Sequence, residues 1–240
     1  MATPINATVL KAFDALDLFS PDRREITADI VASELEMSRA TAYRFLVTLE
    51  ASGILMSVRR GGYALGPRLM RLGRTVEDLA PVQPRVLETL DALRREVGES
   101  VMACRFAPRG PICVAVSEAQ QPISVNIRVG TQLPMLKTAQ GRLWLAAMSP
   151  AERARWASGQ GVAAGALSEL DDELVRIRSE CHACNLGDNE PDIGAVSVPV
   201  LEGDHIALTL SVFGMLSRFD KDMMLRTERL LKQAAARLAT

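Results

Sequence analysis

Apolar residues recur at every third or fourth position near the start of the chain. Val9, Phe13, Leu16 and Phe19 fall on one side of residues 5–19, and this spacing predicts an amphipathic helix. Thr27 is an N-cap residue for a shorter helix carrying Ile30, Val31 and Leu35 inward. A tight turn at Glu36-Met37 then leads to Ser38, the N-cap of a third helix. At about 100° per residue, Ala42, Phe45, Leu46 and Leu49 share one side of that helix, and Ala40, Tyr43, Arg44 and Val47 face the other way. After Gly53 the period shortens. Ile54–Val58 and Tyr63–Leu65 read as two strands around the turn Arg59-Arg60-Gly61-Gly62, a hairpin signal. Three helices and a basic-tipped hairpin describe a winged helix-turn-helix. Residues 67–80 fit a further helix, punctuated by Pro81 and Pro84, and the domain boundary is placed there.

Beyond the boundary the element types alternate. A helix is expected near 83–97, with Val86, Leu87, Leu90 and Leu93 on its stripe, then strands near 100–107, 111–117 and 123–129. Helices near 138–148 and 168–180 follow, then strands near 194–200 and 205–213 and a closing helix from about Asp220 to Leu238. That order predicts an α+β domain whose antiparallel sheet is flanked by helices. The expected organisation is a DNA-binding domain over 1–66, a linker helix over 67–81 and a second domain over 82–240. No internal repeat, low-complexity segment or phosphate-binding glycine loop is present.

Composition adds little to this until it is read locally. The 240 residues are 48% hydrophobic and 24% charged, ordinary globular values with length enough for two cores. No apolar run reaches the roughly 18 residues of a membrane span, and the first residues lack the basic and apolar regions of a signal peptide. A soluble, cytoplasmic protein with no membrane partner is expected, its four cysteines reduced. The net charge is −1, yet Arg39, Arg44, Arg59, Arg60, Arg68, Arg71 and Arg74 meet only Glu50 between residues 37 and 74. The preceding segment is acidic, with Asp14, Asp17, Asp22, Glu25, Asp29, Glu34 and Glu36 against Lys11, Arg23 and Arg24. The positive charge is therefore concentrated, as on an anion-facing surface.

Double-stranded DNA is the partner this pattern implies. A helix lying in the major groove needs small residues and donors toward its N-terminal end, which Ser38, Arg39, Ala40, Thr41, Tyr43 and Arg44 supply. Arg59 and Arg60 at the hairpin tip read as phosphate contacts, with a solvated turn as the plainer alternative. Tyr43 reads equally well as a phosphate donor or as cover for the helix pair.

With those residues in place, nearly the whole chain resembles the IclR family of bacterial transcription regulators. The likeness is carried by ITADIVASELEMSRATAYRFLVTLEASGIL and GGYALGPRLMRLG in the first domain, and by RVGTQLPMLKTAQGRLWLA, IGAVSVPV and IALTLSVFGMLSRF in the second. The resemblance implies a winged helix-turn-helix followed by a GAF-like effector domain, assembled as a homodimer or dimer of dimers. It also implies an operator affinity set by a small carboxylate, with no cofactor, no metal and no catalysis. Carried over by position, the effector residues are Val125, Leu133, Ala139, Gln140, Asn185, Ile193, Ala195, Ser211 and Phe213. Independently of the family, residues 139–140 open a helix whose free N–H groups suit a carboxylate. Where binders of small acids in the family tend to have Asp, Cys and Ser, this chain has Asn185, Ala195 and Phe213. A larger, flatter ligand is expected in consequence. The LPMLKTAQGRLWLA run is most similar to regulators of aromatic-acid catabolism. The family also usually has Gly where Glu36 stands, so Glu36 is expected to be strained if its φ is positive.

Other chemistries find less support. Cys181-His182-Ala183-Cys184 has the spacing of a zinc or redox pair, the basis of an alternative reading as a thiol-dependent enzyme or a redox or metal sensor. A structural zinc needs two more ligands, and only Cys104, Cys113 and His205 remain, without a second close pair. Cys104 and Cys113 lie on neighbouring expected strands and read as packed thiols. His182 and His205 belong to no nucleophile constellation, and Asp171-Asp172 sits on a polar helix face. Trp144, Trp156 and Met135 read as core, and Arg128 and Lys137 as solvated.

Overall fold

The computed structural model describes residues 6–239; residues 1–5, which include the first residue of the earliest expected helix, and residue 240 lie outside it. The chain divides into two compact units, one ending at Pro81 and the other beginning at Val82.

The first unit runs α1 (Ala7–Leu16), β1 (Ile26–Thr27), α2 (Ala28–Glu34), α3 (Arg39–Ala51), β2 (Leu55–Arg59), β3 (Gly62–Leu65) and α4 (Pro67–Leu79). The hairpin β2–β3 is joined by β1 on the β3 side, giving the order β1-β3-β2. The sequence pattern does not reveal β1, because two residues carry no periodicity. Ala15, Ile26, Val31, Ala42, Leu46, Leu55 and Tyr63 form the core, with Phe19, Leu35, Met37 and Leu49 packed around it. Two residues of the α1 stripe do not take part: Val9 and Phe13 are 50% and 60% exposed. The stripe is real, but a core this small is closed by Ala15, Leu16, Leu18 and Phe19, and the outer end of the stripe faces water. In α4 no residue is buried, and Met70, Leu72, Val76 and Leu79 are all exposed.

Helix α2 ends in a Schellman turn, Met37 N–H donating to Ala32 O at 3.0 Å, with Glu36 at φ +48°. A left-handed conformation costs a residue with a Cβ about 1 kcal/mol more than glycine. Glu36→Gly is therefore expected to raise the unfolding free energy by about 0.5–1 kcal/mol, read as a higher urea midpoint with an unchanged m-value. A lower midpoint would show that the Glu36 side chain has a compensating role.

The second unit runs α5 (Pro84–Val97), β4 (Ser100–Arg105), β5 (Ile112–Ser117), α6 (Ala139–Ala147), α7 (Pro150–Gln160), α8 (Ala164–Ser168), α9 (Asp171–Glu180), β6 (Ala183–Leu186), β7 (Ile193–Glu202), β8 (His205–Met215), a 3₁₀ turn (Leu216–Arg218) and α10 (Lys221–Leu238). Its five strands order as β5-β4-β8-β7-β6, every neighbouring pair antiparallel. Successive side chains point to opposite faces. Val196, Val198, Val200, Leu208, Leu210 and Val212 face α5 and α10, whose Leu90, Leu93, Leu231 and Ala234 complete the main core. Helix α6 covers β6, β7 and β8 on the opposite face and packs against α9.

The strand expected at 123–129 is absent from the sheet, whose edge is β5. Residues 130–133 alone reach that edge, through Cys113 N–H to Thr131 O, Gly130 N–H to Cys113 O and Leu133 N–H to Pro111 O. The alternation at Ile123, Val125, Ile127 and Val129 is genuine, since Val125 and Ile127 pack inward while Ile123 and Val129 are exposed. It reports an extended backbone rather than a ladder. The expected helix near 168–180 is α9 alone, and α7, α8 and β6 have no counterpart in the reading above. Among the described residues no helix is long and apolar enough to cross a membrane.

Candidate nucleic-acid interface and ligand face

Ser38 caps α3: its hydroxyl accepts from Thr41 N–H at 3.1 Å and lies 2.8 Å from Thr41 Oγ1. The two hydroxyls therefore engage one another at the helix start. Behind them Ala42 and Leu46 are buried, while Ala40, Tyr43, Arg44 and Val47 are exposed, as the 100° spacing predicts. The arginines differ in ways the sequence conceals. Arg39 Nε donates to Asp29 at 2.6 Å, and Arg59 Nε donates to Glu25 at 2.6 Å. Gly62 makes the second pair possible, because a Cβ there would lie 2.1 Å from the Glu25 carboxylate. Neither Arg44 nor Arg60 has an ion-pair partner among the described residues. Two acids of the preceding segment thus fold back onto the basic patch, at sequence separations of 10 and 34 residues. Exposed pairs of this kind contribute about 0–1 kcal/mol, so they position guanidinium groups without committing them.

In the second unit the nine residues expected to bind an effector are partly brought together. Leu133, Ala195 and Phe213 belong to one buried cluster with Met102, Cys104 and Cys113, against which Val125 packs. Strand register sets Asn185 opposite Ala195 and Ala195 opposite Phe213. Ser211 pairs with Ser197, their hydroxyls 2.6 Å apart. Ile193 lies at the start of β7, half-buried, opposite Met215. Gln140 reaches this face from α6, its Nε2 3.8 Å from Met102 Sδ, whereas Ala139 packs in the separate cluster around Trp144 and Leu145.

The start of α6 follows from its sequence. Thr138 donates its hydroxyl proton to Pro134 O at 2.7 Å and accepts from Gly141 N–H at 3.2 Å, so the N–H groups of Ala139 and Gln140 remain for another acceptor. Gly141 is obligatory in this arrangement, since a Cβ would lie 2.1 Å from Met135 O. Asn185 Oδ1 accepts from Asp188 N–H at 2.8 Å, and Thr209 Oγ1, fully buried, has no hydrogen-bond partner.

Several polar links on this side were not read from the sequence. Arg142, one-tenth exposed, donates to Leu136 O, Glu173 and Asp188 at 2.9, 3.1 and 2.8 Å. Arg218 binds the buried Glu99 and approaches Ile123 O at 3.5 Å, which anchors the covering segment 118–132. No spacing rule signals contacts between such distant positions.

The thiol alternative meets opposing geometry. Cys181 is an exposed left-handed cap of α9 at φ +54°, and burial pushes the Cys184 thiol up to about 11, the reverse of an activated thiolate. His182 Nδ1 lies 3.4 Å from the Glu228 carboxylate. Trp144 is buried against Phe106, with ring centroids 5.3 Å apart, and Trp156 donates to Pro108 O at 2.8 Å. Arg128 and Lys137 face water.

Comparison with known proteins recognises both units. Residues 8–58 match the IclR helix-turn-helix domain, and residues 77–240 match the description "Bacterial transcriptional regulator IclR C-terminal". The chain is 24% identical over 244 residues to the HTH-type transcriptional regulator XynR of Escherichia coli K12, covering 98% of this chain and 97% of that one. An IclR transcriptional regulator from Alicyclobacillus acidocaldarius superposes with a TM-score of 0.75 at 25% identity, covering 98% of each chain. An IclR homolog from Microbacterium hydrocarbonoxydans, solved with 4-hydroxybenzoate, superposes at 0.69 with 19% identity, covering 95% of this chain and 96% of that one.

Proposed function

Because this chain belongs to the IclR family of bacterial DNA-binding transcription regulators, which are not enzymes, we propose that it is a cytoplasmic regulator whose operator occupancy is set by an aromatic carboxylate. The observation that carries the DNA part is the uncovered face of α3, with Arg44 and Arg60 free of acids beside it. Helix α3 enters the major groove, the hairpin tip meets phosphate, and residues 67–81 act as the linker between a DNA-binding domain over 1–66 and an effector domain over 82–240. Two copies read a two-fold operator. Asp29 and Glu25 moderate the patch by holding Arg39 and Arg59. Asp29→Asn with Glu25→Gln is expected to tighten binding to operator and random DNA alike and to steepen the salt slope by about one unit per freed arginine, measured by fluorescence anisotropy. Unchanged slopes would mean that these arginines do not meet phosphate.

The N–H groups of Ala139 and Gln140 support a carboxylate at the start of α6, with Ser211, Asn185 and the unpartnered Thr209 hydroxyl as further polar groups. Met102, Leu133 and Phe213 supply apolar and aromatic walls suited to a ring. The 4-hydroxybenzoate in the Microbacterium homolog is consistent with that chemistry. Leu133 and Phe213 fill the face, so ligand entry requires the covering segment to move. Effector binding alters DNA affinity only through a difference between two arrangements of the protein, typically about 1–3 kcal/mol. A thermal-shift panel tests this reading. Stabilisation by hydroxybenzoates, accompanied by a changed operator affinity, is expected; stabilisation by glyoxylate or pyruvate alone overturns the aromatic assignment.

A further inference from the structure

Cys104 on β4 and Cys113 on β5 stand directly opposite one another in the antiparallel ladder, next to a register shift between Ala103 and Cys104. Both backbone groups of Cys113 are turned away from β4: its N–H donates to Thr131 O at 2.9 Å and its carbonyl accepts from Gly130 N–H at 2.8 Å. The two cysteines are therefore a non-hydrogen-bonded cross-strand pair, the kind in which Cα atoms approach to about 4.5 Å. That separation lies within the range of about 4.4–6.8 Å spanned by disulfides. Both thiols are free. We propose that Cys104 and Cys113 are a reversible oxidation site that closes to an intrachain disulfide under a hydroperoxide.

The chemistry balances within the pair and its oxidant. The Cys113 thiol gives up its proton and its sulfur attacks the peroxide: an S–O bond forms, the O–O bond breaks, and the leaving oxygen takes up that proton as the alcohol, or as water from hydrogen peroxide. The Cys104 sulfur then attacks the Cys113 sulfur. An S–S bond forms, the S–O bond breaks, and the hydroxyl leaves with the Cys104 proton as water. The closeness of the two sulfurs holds Cys113 below the ordinary thiol range and raises Cys104, so Cys113 attacks first; in the reduced pair the Cys113 thiol donates to Ala115 O at 3.5 Å. Cys104 and Cys113 are 0% and 1% exposed, so access depends on local opening. The position favours it: β5 is the sheet edge, and what covers the pair is segment 118–132, which contains no helix or strand. The 181/184 pair has no such arrangement, one thiol capping a helix and the other shifted up to about 11 by burial.

The bond itself needs nothing from the effector reading. Its regulatory consequence does rest on that reading, because the pair lies in the cluster that holds Leu133, Ala195 and Phe213. Tying β5 to β4 there stiffens the wall and the cover that a ligand must displace.

The test uses the full chain carrying Cys181→Ser and Cys184→Ser, so that only the pair remains. The native protein is treated with hydrogen peroxide, then alkylated in denaturant and mapped by mass spectrometry. Both thiols are expected to vanish together into one cross-linked peptide pair lighter by two hydrogens, restored by dithiothreitol. Hydrogen exchange in 112–117 and 123–132 is expected to slow. Cys113→Ser should leave Cys104 fully alkylatable. Two thiols that stay alkylatable, or a sulfinic acid without the cross-link, would overturn the site. A cross-link in a protein that binds no aromatic acid in either state sustains the site and removes the effector reading alone.

Discussion

Replacing Arg44 with alanine is expected to lower operator affinity by about 1–3 kcal/mol, roughly 5- to 150-fold, and to relax the preference for operator over random DNA. Arg44 stands on the exposed face of α3 beside Tyr43, with no acidic partner among the described residues. The substitution removes a donor without disturbing the core, which is held by Ala42 and Leu46 on the opposite side. Stability is therefore expected to change by less than about 0.5 kcal/mol. Arg60→Ala at the hairpin tip should instead weaken all sequences alike and reduce the salt slope by about one. Arg59→Ala should weaken all sequences no less than Arg60→Ala, because it leaves the Glu25 carboxylate unpaired in the patch. Competition anisotropy with operator and random duplexes at several salt concentrations separates these outcomes. Equal losses on both duplexes for Arg44→Ala would mean that α3 does not read bases.

The second large effect is expected on α4. Leu69, Leu72, Val76 and Leu79 recur at spacings of three, four and three, the spacing that a two-stranded coiled coil uses, in a helix with no buried residue. Leu79 is 80% exposed and Val76 64%, apolar area that a single copy leaves in water. Leu72→Glu with Val76→Glu should leave the monomer folded, since neither side chain supports a core. Pairing of two copies through this seam should be lost. Two half-sites bound through one dimer gain about 10²–10⁴ in affinity over a single head, so operator binding is expected to fall by a factor of that order. Sedimentation equilibrium and anisotropy on the same sample check both parts. A variant that keeps the parent's mass and affinity would show that α4 is not the pairing seam.

Much of the first unit was legible because its signals are local. Thr27 and Ser38 cap the helices assigned to them, and the two sides of α3 divide as the spacing predicts. Glu36 takes the positive φ that its departure from the family's glycine made a concern. Val9 and Phe13 share the apolar side of α1 yet stand exposed, because a stripe specifies which residues share a face and not whether the fold has enough surface to cover them. The same limit explains residues 123–129, where alternation reported an extended chain and could not report whether a neighbouring strand offers its edge.

The chain's own pattern of apolar residues, caps and turns determined two α+β units, the winged arrangement, the outward face of α3 and a helix opening at Ala139. Each is a matter of spacing within a few residues. Only the tertiary structure decided that Asp29 and Glu25 hold two of the basic-patch arginines, that Arg142 joins Glu173 and Asp188, and that Cys104 meets Cys113 in register. Those contacts depend on which strands neighbour one another and on where chain reversals return a side chain, and periodicity carries no information about either.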